Sequence, residues 1–156
     1  MSSIPAPTVR AYPRLTRIVA VVMSVAIVAG FGVLGALLKQ TEAGTTFHTS
    51  DQVAMVGFGV LIAAGILLLA RPTVYADAER IRVRNIVQSH TLRWELVEAI
   101  RFPAGTSWPV LQLHDDETLA VLAIQTVDGE RAAEATEGLR ALLAASRTPR
   151  QAHPTT

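Results

Sequence analysis

The sequence contains no cysteine. Disulfide bonds, thiol catalysis and cysteine-ligated metal sites are therefore excluded. The chain also lacks a glycine-rich phosphate-binding loop and a nucleophile-elbow pattern, which mark two large groups of enzymes. Its net charge is only +1, and it has no dense basic stripe of the kind found in nucleic-acid-binding proteins. We therefore expect neither an enzyme nor a nucleic-acid partner, and no cofactor or metal.

Charged side chains are missing from residues 18–38, where only Ser24 is polar. A helix of this length is about 31 Å long, enough to cross a hydrocarbon core of about 30 Å. The run is apolar on every side, which favours lipid over the core of a soluble domain. A cleaved signal peptide is the sharper alternative, because three arginines precede the run. The run is longer than a signal-peptide core and no Ala-x-Ala site follows it, so we expect an uncleaved anchor.

A second uncharged run covers residues 53–70, after a polar connection over 39–52. Ser50 and Asp51 are suited to the N-cap and first turn of a helix at this point. The run lies near the lower limit for a membrane span, so a core helix or a re-entrant segment stays open as an alternative. We expect two spans that form an antiparallel transmembrane hairpin within the lipid bilayer.

Basic residues are distributed unevenly around the two runs. The N-terminal flank carries Arg10, Arg14 and Arg17 and the exit of the second run carries Arg71, whereas the connection carries only Lys39. Cytoplasmic flanks retain Lys and Arg. We therefore expect a multi-pass protein of the plasma membrane with both termini in the cytoplasm. Neither run contains an ionisable side chain, which argues against a proton or ion path.

Small residues recur four positions apart within the two runs, and this spacing lets helix backbones approach closely in lipid. It is explained by packing of the hairpin against itself, or by homo-oligomerisation. The pairs are Ala26 with Gly30, Gly32 with Ala36, and Gly59 with Ala63.

Beyond Pro72 the hydrophobic period changes to two, which is typical of strands. We expect strands over residues 73–77, 80–87, 90–94, 97–102, 110–114 and 118–125, joined by short turns into an antiparallel meander. A final amphipathic helix is expected over 129–145, with Asp128 as its cap and an apolar stripe of Ala132, Ala135, Leu139 and Leu142. The fold class is therefore α+β, with the hairpin preceding a small antiparallel sheet closed by one C-terminal helix.

The domain organisation follows from these elements. Residues 1–17 are proline-containing and are expected to be disordered, residues 18–70 form the hairpin, residues 71–146 form the cytoplasmic domain, and residues 147–156 form a disordered tail.

The soluble part resembles the bacterial pleckstrin-homology-like (PH-like) domains of actinobacteria, in particular the low molecular weight protein antigen 6 group. Segments 74–77, 81–85, 92–97 and 100–103, followed by Leu119 to Gln125, carry the resemblance, and the Arg-Trp-Glu-x-Val pattern at 93–97 is its most specific part. The group usually has glycine where this chain has Arg80. The resemblance implies a barrel-like PH fold and an interaction module without catalysis. The expected partner is another membrane or cytosolic protein.

Arginines alternate along the second predicted strand and continue in the next two. The candidate surface for a lipid or protein partner consists of Arg80, Arg82, Arg84, Arg93 and Arg101. Near an anionic leaflet each arginine gains about 1 kcal/mol, so phospholipid headgroups are an alternative ligand. The simpler interpretation is a solvated strand face whose arginines pair with Glu79 or Glu95 at about 0.2 to 1 kcal/mol each.

Two further clusters receive structural interpretations. Trp94 continues the inward register of Leu92 and is expected to anchor the core. His114 and the acidic residues 115–117 resemble a metal site only in composition, because hairpin turns favour the same residue types.

Overall fold

The structure is a computed structural model that describes residues 8–40 and 48–148. The chain divides into two compact units. Arg14–Arg71 form one unit, and the residues up to Pro13 together with those from Pro72 onward form the other. The first unit is a helical hairpin and the second combines antiparallel sheets with a helix, which confirms the α+β class.

The hairpin consists of α1 (Arg14–Gln40) and α2 (Thr49–Leu68). Both helices are long and apolar enough to cross a membrane, and only 17% and 11% of their apolar windows are buried within the structure. The backbone N–H of His48, the N-cap of α2, donates to Asp51 Oδ2 at 2.9 Å. Asp51 is thus the first-turn acid that the sequence predicts, whereas Ser50 lies inside the helix. Residues 41–47 of the predicted connection lie outside the described residues.

Close contacts hold the two helices together. Ser24 Oγ donates to the carbonyl oxygen of Ala63 at 3.1 Å, and the rings of Phe31 and Phe58 pack edge to face with centroids 6.0 Å apart. A Cβ atom at Gly59 would lie 3.0 Å from the Phe31 side chain, which is tighter than most real contacts, so glycine eases this close approach. Gly59 and Ala63 therefore belong to the hairpin interface. The other small residues at this spacing are exposed or half-buried: Ala26, Gly30, Gly32 and Ala36.

The second unit contains a four-stranded antiparallel sheet with strand order β1-β2-β3-β4. Its strands are β1 (Val9–Ala11), β2 (Thr73–Ala76), β3 (Arg80–Arg84) and β4 (Ser89–Arg93). The β2–β3 turn is tight because the Asp77 carboxylate accepts the backbone N–H groups of Glu79 and Arg80, both at 2.9 Å. Among the described residues other than glycine only Asp116 has a positive φ, so Arg80 fits this turn without left-handed backbone.

Strand β1 corrects the expectation that residues 1–17 are disordered. Val9 pairs with Ala76 and Ala11 pairs with Val74, so β1 is an edge strand of the sheet. Helix α1 begins three residues later, at Arg14. The prediction failed because a three-residue strand has almost no periodic signal and is stabilised by a partner more than 60 positions away in the sequence. Residues 1–7 lie outside the described residues.

A second, three-stranded sheet follows with order β5-β6-β7. It comprises β5 (Val97–Arg101), β6 (Val110–Leu113) and β7 (Thr118–Ala120). The acidic segment 114–117 forms the β6–β7 turn, closed by the Leu113 N–H, which donates to the Glu117 carbonyl oxygen at 2.9 Å. The turn interpretation of this segment is therefore confirmed. Strand β7 is shorter than predicted. The backbone N–H of Val121 still bonds to the carbonyl oxygen of Pro109 in register with the ladder, but Pro109 has no N–H to return the bond, and regular pairing ends at Ala120.

The closed barrel implied by the resemblance is not formed. Within residues 8–40 and 48–148 the two sheets share no strand pairing. A 3₁₀ turn at Trp94–Leu96 separates β4 from β5 and redirects the chain into the second sheet. The apolar faces of both sheets line one core, in which Val74, Ile81 and Leu111 are fully buried.

The C-terminal helix α3 (Glu130–Arg147) covers this core. Ala132, Leu139 and Leu142 of the predicted stripe are buried, and Ala135 is half-buried against the core. Gly129, rather than Asp128, stands at the N-cap of α3, with φ 58°. The helix contacts β1 in the first sheet and β5 in the second, which explains how two separate sheets share one core. Residues 149–156 of the predicted tail lie outside the described residues, and Arg147 ends the helix.

Candidate interaction surface

The outer side of the four-stranded sheet is basic. Its strand positions carry the arginines of β1, β3 and β4, and no carboxylate occupies any of them. The alternate side chains, including Ile81 and Val83, are fully buried on the other side, as strand geometry requires. We call this outer side the basic face, and it consists of Arg10, Arg80, Arg82, Arg84 and Arg93.

The strand register sets the spacing of these charges. Tyr75 lies opposite Arg10 on one side and opposite Arg82 on the other, and Thr91 lies opposite Arg82 on β4. Neighbouring strands are about 4.8 Å apart, so one row across the sheet places two arginines about 10 Å apart on either side of the tyrosine. Arg84 lies two residues further along β3. An anionic group on this row therefore has guanidinium groups on two sides.

Some of the arginines on this face have acidic partners. Arg80 and Arg93 lie directly opposite each other, and each forms an ion pair at its strand end: Arg80 with Glu79 at 3.5 Å and Arg93 with Glu95 at 3.2 Å. All four side chains are more than half exposed, so each pair contributes little stability. These two pairs are the ones expected for a solvated strand face whose arginines pair with Glu79 or Glu95.

The remaining arginines have no such partner. Among the described residues, no carboxylate lies within ion-pair distance of Arg10, Arg82 or Arg84. Arg10 and Arg82 are exposed and Arg84 is half-buried. The centre of the basic face therefore carries three positive charges without an acidic neighbour, and it is the part of the face available to an anionic ligand.

Arg101 does not belong to this face. It lies on β5, in the three-stranded sheet, opposite Val110. The structure thus brings together Arg80, Arg82, Arg84 and Arg93 of the candidate surface and separates Arg101 from them. It adds Arg10, which the sequence did not reveal, because the segment that carries it has only three strand residues.

Trp94 anchors the end of β4. Its side chain is 3% exposed, and its Nε1–H donates to the Asp77 carbonyl oxygen at 2.7 Å. The prediction of a core anchor is confirmed. The same turn holds the Asp77 carboxylate, whose pKa is lowered chiefly by the N–H of Glu79, with smaller lowering contributions from the N–H and charge of Arg80, against an opposing effect of burial. Asp77 is therefore an ionised turn residue.

A groove adjoins the basic face along β4. It has a volume of about 1040 Å³ and lies between the β4 side of the sheet and the last turn of α3. Leu92, Leu142 and Ala145 contribute apolar surface, while Arg93 and Arg147 contribute charge. No strand pairs with the outer edge of β4 among the described residues. The second unit therefore has a basic face, a free strand edge and a groove side by side.

Comparison with known proteins finds one matching family model and several relatives of this chain. The family model described as bacterial PH domain matches residues 71–142. Uncharacterized proteins of Mycobacterium bovis and Mycobacterium tuberculosis are 41% identical to this chain over 125 residues, which cover 80% of this chain and 79% of each relative. No solved structure gives a significant match. The matched segment begins one residue before the second unit resumes at Pro72, and it does not include β1.

Proposed function

Because the chain belongs to the bacterial PH domain family, we propose that it is a non-enzymatic multi-pass membrane protein that presents its PH domain at the cytoplasmic face to bind another protein. The observation that carries this proposal is the basic face, whose central arginines have no acidic neighbour among the described residues. Burying or pairing such charges requires a ligand of opposite sign, which makes this face the natural contact surface.

Membrane insertion is supported by the two helices of the first unit. Their apolar side chains are largely exposed, and such a continuous apolar surface is unfavourable in water. Neither helix carries a charged residue within residues 18–38 or 53–70. A lipid bilayer is the solvent in which these helices bury their surface.

Strand pairing supports a common location for the two ends of the hairpin. Strand β1 immediately precedes α1, and β2 follows α2 after four residues. Because β1 and β2 are hydrogen-bonded neighbours in one sheet, their pairing supports an arrangement in which both ends of the hairpin leave the membrane on the same side. The excess of arginine at these ends favours the cytoplasm as that side.

Cysteine labelling tests this topology. Since the chain has no cysteine, single cysteines at Ser3, Thr46 and Ser146 are unambiguous labelling sites for an impermeant reagent applied to intact cells. We expect labelling at Thr46 only. Labelling at Ser146 without labelling at Thr46 would reverse the orientation, and labelling at both would contradict the hairpin.

Protein binding is favoured by the groove and the free edge of β4, which adjoin the basic face and suit a shaped polypeptide. The test is affinity purification of the intact protein from its native membranes, alongside a chain that lacks residues 71–156. A partner of the PH domain should copurify with the intact protein and should be absent from the preparation of the chain that lacks residues 71–156.

Two matched double variants locate the contact. Arg82→Gln with Arg84→Gln removes two charges from the basic face, and Arg131→Gln with Arg140→Gln removes two exposed charges from α3. We expect only the first double variant to lose the partner. Equal retention by both double variants would remove the basic face from the contact.

Anionic phospholipid headgroups are the second candidate ligand, favoured by the same unpaired arginines and by the short connections to the hairpin. A soluble chain for this test must keep β1, so a fragment beginning at residue 71 is unsuitable. Ala11 pairs with Val74, so Tyr12 and Thr73 lie opposite each other at the end of the two strands. A shortened chain in which an Asn-Gly turn replaces residues 13–72 can therefore keep β1 in the sheet. Near-native tryptophan emission establishes that this shortened chain is folded.

Sedimentation with phosphatidylglycerol vesicles then measures lipid binding by the shortened chain. If the headgroups are bound, loss of Arg82 and Arg84 forgoes about 2 kcal/mol, or roughly a thirtyfold weakening. Steep weakening with added salt is expected as well. Binding that is absent, or equal in the parent and the double variant, rejects the lipid candidate.

A further inference from the structure

The free edge of β4 differs from the other sheet edges of the domain. Natural proteins protect exposed edges by shortness, bulges or covering groups. Strands β1 and β7 have three residues each, and β1 is also packed against α3. Strand β5 has a register irregularity between Val97 and Ala99, and Arg147 donates to the carbonyl oxygens of Val97 and Glu98. Strand β4 has five residues and a regular register.

The hydrogen-bond phase of the β3–β4 ladder shows which groups of β4 face outward. Asn85 N–H donates to Gln88 at 2.8 Å, and Trp94 N–H donates to Glu79 at 3.5 Å. Bonded and non-bonded pairs alternate in an antiparallel ladder, so the residues of β4 at even positions bond to β3. The N–H and carbonyl groups of Ser89, Thr91 and Arg93 therefore point away from the sheet, toward the groove side. None of them has a backbone partner among the described residues.

The two sides of this edge differ in chemistry. The side chains of Ser89, Thr91 and Arg93 continue the basic face, where Arg82 lies opposite Thr91. The intervening Leu92 points to the inner side, where Leu142 and Ala145 line the groove. A strand added beside β4 would therefore place alternate side chains among arginines and against apolar surface.

We propose that β4 is a docking edge for an extended segment of a protein partner in which acidic and apolar residues alternate. The segment adds a fifth strand to the sheet, bonds to the backbone of Ser89, Thr91 and Arg93, and places its acidic side chains beside the basic face. This inference rests on the proposed protein-binding function and names the class of its partner.

The test uses the full chain in discs of neutral lipid and a fluorescent seven-residue probe, Glu-Val-Glu-Val-Glu-Val-Glu, followed by fluorescence anisotropy. Three control peptides isolate the chemistry. N-methylation of the alternate amides that face β4 removes the ladder donors, lysine in place of glutamate reverses the charge, and a central proline interrupts the strand. We expect binding of the parent probe and at least tenfold weaker binding of all three controls.

Two variants of the protein test the edge itself. Thr91→Pro removes an outward N–H but no bond to β3, and edge strands accept proline at such a position. Thr91→Val keeps the N–H and the side-chain shape. We expect about tenfold weaker binding for the proline variant and near-parent affinity for the valine variant. Unchanged tryptophan emission in both establishes that the fold is retained, and the N-methylated probe tests the edge without altering the protein.

Two results overturn the inference and leave different conclusions about the proposed function. If the probe binds but N-methylation and Thr91→Pro have no effect, the basic face attracts acidic peptides without strand addition, and the interaction module stands. If no peptide binds, strand addition of such a segment is rejected, and the purification with Arg82 and Arg84 replaced then decides the proposed function separately. In that second case, arginine-dependent vesicle binding assigns the face to lipid.

Discussion

The contact between Val9 and Gly138 offers a sharp test of how the segment before the hairpin joins the PH domain. Gly138 lies inside α3, where glycine costs about 1 kcal/mol relative to alanine. A Cβ atom at this position would lie 2.8 Å from Val9 Cγ2, which is closer than real contacts allow. Valine is stiff at χ1, so its methyl group cannot easily move aside. The glycine is therefore explained by the close approach of β1.

This geometry fixes the expected sign of Gly138→Ala. The gain in helix propensity is about 1 kcal/mol, and overpacking costs about 1 to 3 kcal/mol. We expect a net loss of about 1 kcal/mol in the parent chain. When Val9→Ala removes the clashing methyl groups, the same change in α3 should stabilise the domain by about 1 kcal/mol. The coupling between the two sites is then about 2 kcal/mol.

Urea unfolding of the full chain in detergent, followed by tryptophan fluorescence, measures this cycle, because both tryptophans of the chain lie in the second unit. Ala133→Gly, at an exposed position of the same helix, serves as the control. It should cost about 1 kcal/mol with or without Val9→Ala. If Gly138→Ala stabilises both backgrounds equally, β1 is not packed against α3 and the close approach is refuted.

Three further perturbations test the turn and the junction between the sheets. Trp94→Ala removes a buried aromatic and should cost about 3 to 5 kcal/mol, whereas a melt within a degree or two of the parent would place the ring at the surface. The lowered pKa of Asp77 means that its stabilisation is present above the unfolded pKa of about 3.9 and is lost as pH falls through the folded pKa. Asp77→Asn should therefore lose less stability than the parent in acid-unfolding curves, and parallel curves would contradict this. Asn85 donates to the Ala120 carbonyl oxygen at 2.8 Å and accepts from the Leu122 N–H at 3.3 Å. Asn85→Ala should thus cost about 1 to 3 kcal/mol in urea unfolding, and a cost below 0.5 kcal/mol would show that this link is unimportant.

The elements with a long periodic signal could be predicted from the sequence. The alternation of arginine with Ile81 and Val83 predicted β3 and the direction of its side chains, because one face must be buried. The charge-free runs predicted both long helices. The end of the final strand was placed too late, because residues 122–124 form a turn rather than a ladder, although Val121, Ala123 and Ile124 are buried. A buried turn can have the same apolar composition as a buried strand, so composition alone does not show where the strand ends.

The candidate site was only partly predictable for a related reason. Arg82 and Arg84 share a face by strand period alone, but Arg10 joins them through a pairing that no local pattern reports. Arg101 was assigned to the same surface because a continuous meander was assumed. The 3₁₀ turn after Arg93 breaks that meander and places Arg101 in the second sheet. Arginine composition thus identified the type of surface, and long-range pairing decided its membership.

The position of β1 before the hairpin also links the pairing of α1 with α2 to completion of the PH domain. Val9 and Ala76 are 67 residues apart in the sequence, and closing a flexible loop of that length is entropically costly. Once α1 and α2 are paired, only Tyr12, Pro13 and the four residues after α2 connect β1 to β2, so most of that cost is removed. Strand β1 supplies Arg10 to the basic face, and it supplies Val9 to the contact with α3. Formation of the hairpin therefore prepares both the stability and the full charge of the surface that we propose for partner binding.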